Sequence, residues 1–251
     1  MIQIKKTVSC FRSMYMGRFV FRCFCLLAAG AALIFTPEQY SVMYGWNFFK
    51  EFSFFHVLWA IWMIDMFLQL IPCRKYLPLG SQKFLPGCFK PLKDFSVQKL
   101  KDYIVKCRWD ALKICAAWLL LTAVIGALYF SGIIDGNMLL FFTVVFYVCD
   151  LICVLFWCPF RVLFMKNRCC TTCRIFNWDH VMMFSPIVFV PGFYTWSLCF
   201  CAACVLAVWE IFFALRPERF WEGSNEALKC RNCTDRLCGG RASDIPSENS
   251  I

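Results

Sequence analysis

Six stretches of this chain are almost free of charge, and each is bounded by polar or charged residues: 19–35, 54–71, 111–130, 138–160, 181–190 and 194–215. A helix needs about 20 apolar residues to cross a bilayer core, and five of these stretches approach or exceed that length. A barrel strand would alternate in and out; these runs do not alternate, so the expected elements are helices. The fifth stretch is short, contains Pro186 and ends at Pro191-Gly192, where a turn is needed. It is expected to be re-entrant or broken, a form that survives at membrane depth where protein or a water-filled cavity satisfies the freed backbone groups, with a plain, tilted helix as the alternative.

Charge sharpens this picture. Lys5, Lys6, Arg12, Arg18 and Arg22 precede or enter the first run, and ten cations lie between Arg74 and Lys113. Arg161, Lys166, Arg168 and Arg174 follow the fourth run, and six more fall in the tail. Residues 36–53 hold one cation, Lys50, and residues 131–137 hold none. Lys and Arg collect on the cytosolic side. Both termini are therefore expected in the cytosol, with 36–53 and 131–137 outside, in a plasma or inner membrane.

The expected fold is an all-α, polytopic integral membrane bundle with about six membrane segments and a cytosolic cysteine metal site. It divides into a cytosolic segment (1–18), a first hairpin (19–71), a basic amphipathic loop (72–110) and a second hairpin (111–160). A Cys-rich loop (161–180), the short arm with the final helix (181–215) and a cytosolic tail (216–251) follow. Within the basic loop, Phe95, Leu100, Tyr103, Ile104, Cys107 and Leu112 recur at helical spacing between lysines. That pattern suits an interfacial helix on anionic lipids. The +10 formal charge follows from this asymmetry, and nucleic acid is not an expected partner.

With 61% hydrophobic and 17% charged residues the composition is that of a membrane protein. Many of the 19 cysteines sit in apolar runs, where Cys packs as a small hydrophobe. Two Cys-x-x-Cys pairs do not: Cys170 with Cys173, and Cys230 with Cys233. Four soft thiolates converging on one ion make a zinc shell, which would clasp the tail to the loop. Cys169 and Cys238 are further candidate ligands, and they keep an iron–sulfur cluster open as the alternative.

Asp65 and Asp150 fall inside the second and fourth runs, in similar settings: Met63-Ile-Asp65-Met-Phe before Pro72-Cys73, and Val148-Cys-Asp150-Leu-Ile before Cys158-Pro159. A charge in hydrocarbon costs at least about 2.5 kcal/mol, so such acids mark pathways or buried pairs. Gln69 follows Asp65 by one turn and extends a polar stripe. Asp179 and His180 open the short arm as candidate proton or metal accessories. These residues suggest transport of a small ion or polar solute, with the arm as a gate. Alternatives are a membrane oxidoreductase or electron-transfer subunit with an iron–sulfur centre, and a membrane scaffold with structural zinc.

Overall fold

A computed structural model describes residues 10–73, 75–92, 95–167, 169–233, 235 and 237. Every regular element among them is helical. Helices α1 (Cys10–Phe35), α4 (Val97–Phe130), α5 (Gly136–Leu155) and α7 (Phe193–Leu215) are long and apolar enough to cross a membrane. Two shorter elements stand beside them, α2 (Phe54–Leu70) and α6 (Asp179–Phe184), and the four-residue α3 (Leu79–Gln82) lies in the loop after α2. The large apolar side chains on the outer faces, among them Leu27, Ile34, Leu120 and Phe200, are 68–73% exposed. Such continuous apolar surface belongs in lipid.

Side-chain caps set the helix starts. Ser53 Oγ accepts from the Phe55 amide while His56 Nδ1 accepts from the Ser53 amide, a reciprocal cap on α2. Ser96 caps α4 and Asp135 caps α5, each by accepting one amide hydrogen, from Lys99 and from Met138. Pro159 follows the end of α5, and the chain continues as a π-helical turn, Phe160–Met165. The fourth run is thus shorter as a helix than its apolar length predicts, because Pro159 lacks an amide for the ladder.

The basic loop departs most from expectation. Residues 97–130 form one continuous helix of 34 residues, so the amphipathic stripe and the third apolar run are a single element. No Gly or Pro interrupts the chain from Val97 to Ile125, and the stripe has protein to cover it: Cys107, Ala111 and Ile114 are buried with Phe84, Trp209 and Phe220. A helix of this length rises about 51 Å and overshoots the roughly 30 Å hydrocarbon core.

The fifth run is broken. After α6, Pro186 sits in a 3₁₀ turn, Ser185–Phe189, and the two pieces form one narrow arm packed between α5 and α7. Its inner side is fully covered, with Met183, Phe184, Pro186 and Ile187 buried. Gly126 of α4 makes room for the arm, since a Cβ there would lie 2.6 Å from the Phe189 ring. The turn after the arm is held to the loop after α1: the Gly45 amide donates to the Pro191 carbonyl and the Phe193 amide to the Gly45 carbonyl, both at 2.9 Å. A Cβ on Gly192 would come within 1.9 Å of the Met43 carbonyl oxygen, so this approach requires glycine. The other long pairings are α1 on α5 and α2 on α7. Trp62 of α2, Tyr147 of α5 and Phe184 of α6 lock the centre edge to face, with ring centroids 5.3–5.5 Å apart.

Candidate functional site

The pairing of α1 with α5 and of α2 with α7, with the arm between α5 and α7, brings polar side chains from distant parts of the sequence to one place. Asp65 and Gln69 arrive from α2, Asp150 from α5, and Asp179 and His180 from α6. All five line one small cavity of about 40 Å³, together with Tyr15, Arg18 and Arg22 of α1 and Ser81 of α3. A space of that size holds one or two waters or a small ion.

Two linked units occupy its wall. In the first, Arg22 is buried and its Nη1 donates to Asp150 Oδ2 and to the Tyr147 carbonyl, each at 2.6 Å. The guanidinium also lies 3.9 Å over the Tyr147 ring. In the second, Gln69 Nε2 donates to Asp179 Oδ2 at 3.1 Å and stands 3.3 Å from His180 Nδ1, while Nδ1 lies 3.2 Å from Asp179 Oδ1. Asp65 makes no hydrogen bond among the described residues, although it faces the cavity. Among the described residues, several buried atoms at this wall have no hydrogen bond: Arg22 Nε, Gln69 Oε1, Ser81 Oγ and Asp179 Oδ1, the last of which faces His180 Nδ1. Buried polar atoms are normally satisfied. Four orphans around one cavity mark a place for something polar.

Sequence reasoning found the acids, the amide and the histidine but missed Arg22, Tyr15, Arg18 and Ser81. Arg22 carried a signal. It stands inside the first apolar run, three residues past its start, where an unpartnered cation would be costly.

The three thiols of the Cys-rich loop have separate surroundings. Cys169 meets Cys230, whose hydrogen bond is the main cause that holds the Cys169 thiol below the usual range. Cys170 Sγ instead points at the Cys153 carbonyl, 3.6 Å away, and burial pushes its acidity down. Cys173 is buried beside Lys83, and burial raises its thiol to about 11. Among the described residues, no three His, Cys, Asp or Glu side chains form a group able to hold a metal ion. Cys238 lies outside the described residues.

The loop bearing these thiols is pinned from below by Lys83. Its side chain is completely buried and its Nζ donates to the Thr171 carbonyl at 3.0 Å and the Cys173 carbonyl at 2.6 Å. Trp209 and Phe220 present ring faces 5.3 and 5.6 Å from the ammonium. Burial lowers Lys83 to about 8. Beside it, Arg174 is buried against Glu210, which also accepts from Trp178 Nε1 at 2.8 Å.

No family model, curated relative or solved structure matches this chain. The class that fold and site define is an all-helical protein with four helices long and apolar enough to cross a membrane and a small polar cavity among its helices.

Proposed function

We propose that the protein passes a small ion or polar solute through this cavity, with the arm as the moving part. The observation that carries the reading is the convergence of Asp65, Gln69, Asp150, Asp179 and His180, from three separate helices, around unpartnered buried polar atoms. Two of the five sit on α6, whose continuation breaks at Ser185-Pro186. A break supplies a hinge beside the site, as discontinuous helices do in transporters.

The reading includes six membrane segments, with both termini in the cytosol of a cell whose plasma or inner membrane holds the protein. The meeting of Gly45 with Pro191 and Phe193 supports it, because it joins loop 36–53 to the turn after the arm at one end of the bundle. Anionic lipids are the proposed partners of the lysine-rich start of α4. Asp65 gives the cleanest test, since no hydrogen bond is lost on its replacement. In sealed liposomes loaded in turn with protons, sodium and potassium, wild type should carry one of these ions above the empty-vesicle rate. Asp65→Asn should fold normally and slow that flux by about tenfold, as expected for removal of one half-buried charge facing the cavity and worth roughly 1.4 kcal/mol to the passing ion. Absence of flux for wild type with any of the three, or unchanged flux in the variant, would remove this role.

A second reading is favoured by the contact between Cys169 and Cys230. A thiol clasp there would hold the tail to the loop, and zinc is the ion proposed for it, with iron–sulfur chemistry in an electron-transfer protein or a zinc-bearing scaffold as the alternatives. Metal analysis of anaerobically purified protein separates them. On this reading Cys169→Ser and Cys230→Ser lose bound zinc, whereas Cys173→Ser retains most of it because that thiol faces Lys83. Iron in place of zinc would favour the redox alternative, and equal retention in all three variants would discard the clasp.

A further inference from the structure

His180 Nδ1 lies between a donor and an acceptor that it cannot satisfy together. Gln69 Nε2, 3.3 Å away, is a donor and requires a bare Nδ1. Asp179 Oδ1, 3.2 Å away on the other side, is an acceptor and requires Nδ1–H. With Nδ1 bare, the Gln69 amide hydrogen serves the ring and Asp179 Oδ1 is left without a hydrogen bond; with Nδ1 protonated, the ring serves Asp179 instead. In the first case the neutral ring carries its proton on Nε2. Such a position has two arrangements that differ by one proton.

We propose that His180 is the proton-binding site of the cavity, and that proton uptake switches its Nδ1 from Gln69 on α2 to Asp179 on α6. The inference rests on the transport reading only for its purpose; the proton site stands on its own geometry. A proton taken from water in the cavity forms the Nδ1–H bond. The Gln69 Nε2–H···Nδ1 bond is lost, an Nδ1–H···Oδ1 bond to Asp179 replaces it, and the ring gains one positive charge. Gln69 keeps its other hydrogen on Asp179 Oδ2, so the amide is not released altogether.

The surrounding charges leave room for one proton. From α1, Arg18 and Arg22 oppose a cationic ring, and Tyr15 is neutral. Asp65 of α2 and Asp150 of α5 favour it, although Asp150 is already matched by Arg22. The arm contributes Asp179, in direct contact, and the Phe184 ring 6.1 Å away; α7 contributes no charged group to the described lining. Setting Arg22 against Asp150 and Arg18 against Asp65 leaves Asp179 as the acid whose partner depends on the ring. One proton on His180 completes that pairing.

The chain has two histidines, which makes the test direct. His56 is fixed as the Nε2–H tautomer by accepting from the Ser53 amide and lying 2.7 Å from the Phe48 carbonyl. Full-length protein carrying ¹⁵N-histidine in lipid nanodiscs should give two ring signals, assigned with His56→Gln, a change that keeps a capping-box residue at the start of α2. His180 should pass from a ring with bare Nδ1 to a doubly protonated ring between about pH 9 and pH 5. Asp179→Asn should weaken its proton affinity about tenfold and Gln69→Leu should strengthen it, the opposite signs being the signature of the switch. A wild-type ring that keeps one protonation state through that range overturns the inference even if both variants fail to fold, as do shifts of the same sign in the two variants. A titrating His180 without ion flux in liposomes would leave the proton site and discard transport; flux that depends on Asp65 with a silent His180 would do the reverse.

Discussion

Replacing Arg22 with glutamine should destabilise the folded protein by about 3–5 kcal/mol, the usual cost of leaving one member of a buried ion pair without its partner. Asp150 would lose its guanidinium, and the Tyr147 carbonyl would lose its donor. The side chains of Arg22 and Asp150 are 9% and 23% exposed, so the lost partner is not readily replaced. The double change Arg22→Met with Asp150→Leu should recover most of the loss, because it removes both charges and fills the space with apolar atoms. The yield of monodisperse protein in detergent, and its midpoint on heating, give the measurement. A double variant no more stable than the single one would mean that the pair contributes something besides mutual neutralisation.

The second large effect concerns Lys83. Its ammonium is held at about 8 against the ordinary 10.5, so the folded state binds that proton more weakly than the unfolded chain does. Below about pH 8 the folded cap carries the whole penalty; between about pH 8 and 10.5 the unfolded chain holds a proton that the folded chain has shed, and stability rises with pH. Cys173, raised by burial, titrates in the same range with the opposite sign, so wild type must be compared with Lys83→Met, which retains every thiol. The stability of wild type relative to the variant should climb by on the order of 3 kcal/mol across that interval. Protection of Cys173 against a small alkylating reagent, measured on both proteins at each pH, reports it. A difference that stays flat from pH 8 to 10 would mean that Lys83 is not buried in solution.

The long helices were plain in the sequence because hydrophobic runs of that length have few other uses. The polar wall was partly plain for the converse reason: an acid in such a run stands out, and Asp65, Asp150 and Gln69 were visible on that ground. Arg22 was not, since a cation near the start of a run looks like part of the basic flank. Lys83 was hidden in the same way among ten cations, where composition cannot distinguish one ammonium under Trp209 from nine others. The continuity of α4 was missed because a change from amphipathic to fully apolar pattern imitates an element boundary. Only the cap residues Phe84 and Phe220, far away in sequence, show what covers the stripe. The two Cys-x-x-Cys pairs suggested partners by spacing, yet spacing is silent about direction. Cys169, one residue outside the motif, is the thiol that reaches the tail.

One feature of α2 bears on the lipid around the protein. Its 17 residues rise about 25 Å, less than the roughly 30 Å hydrocarbon core, and its outer face, Val57, Ile64, Phe67 and Ile71, is exposed along the whole length. On the six-segment reading proposed above α2 crosses the bilayer, and acyl chains against that face would have to shorten or tilt to meet it, while those around the much longer α4 would not. The bilayer would then dip on one flank of the molecule, over the helix that supplies Asp65 and Gln69. Acyl-chain length would become a mechanical input to the site: thicker membranes would press on the short flank, and thinner ones relieve it.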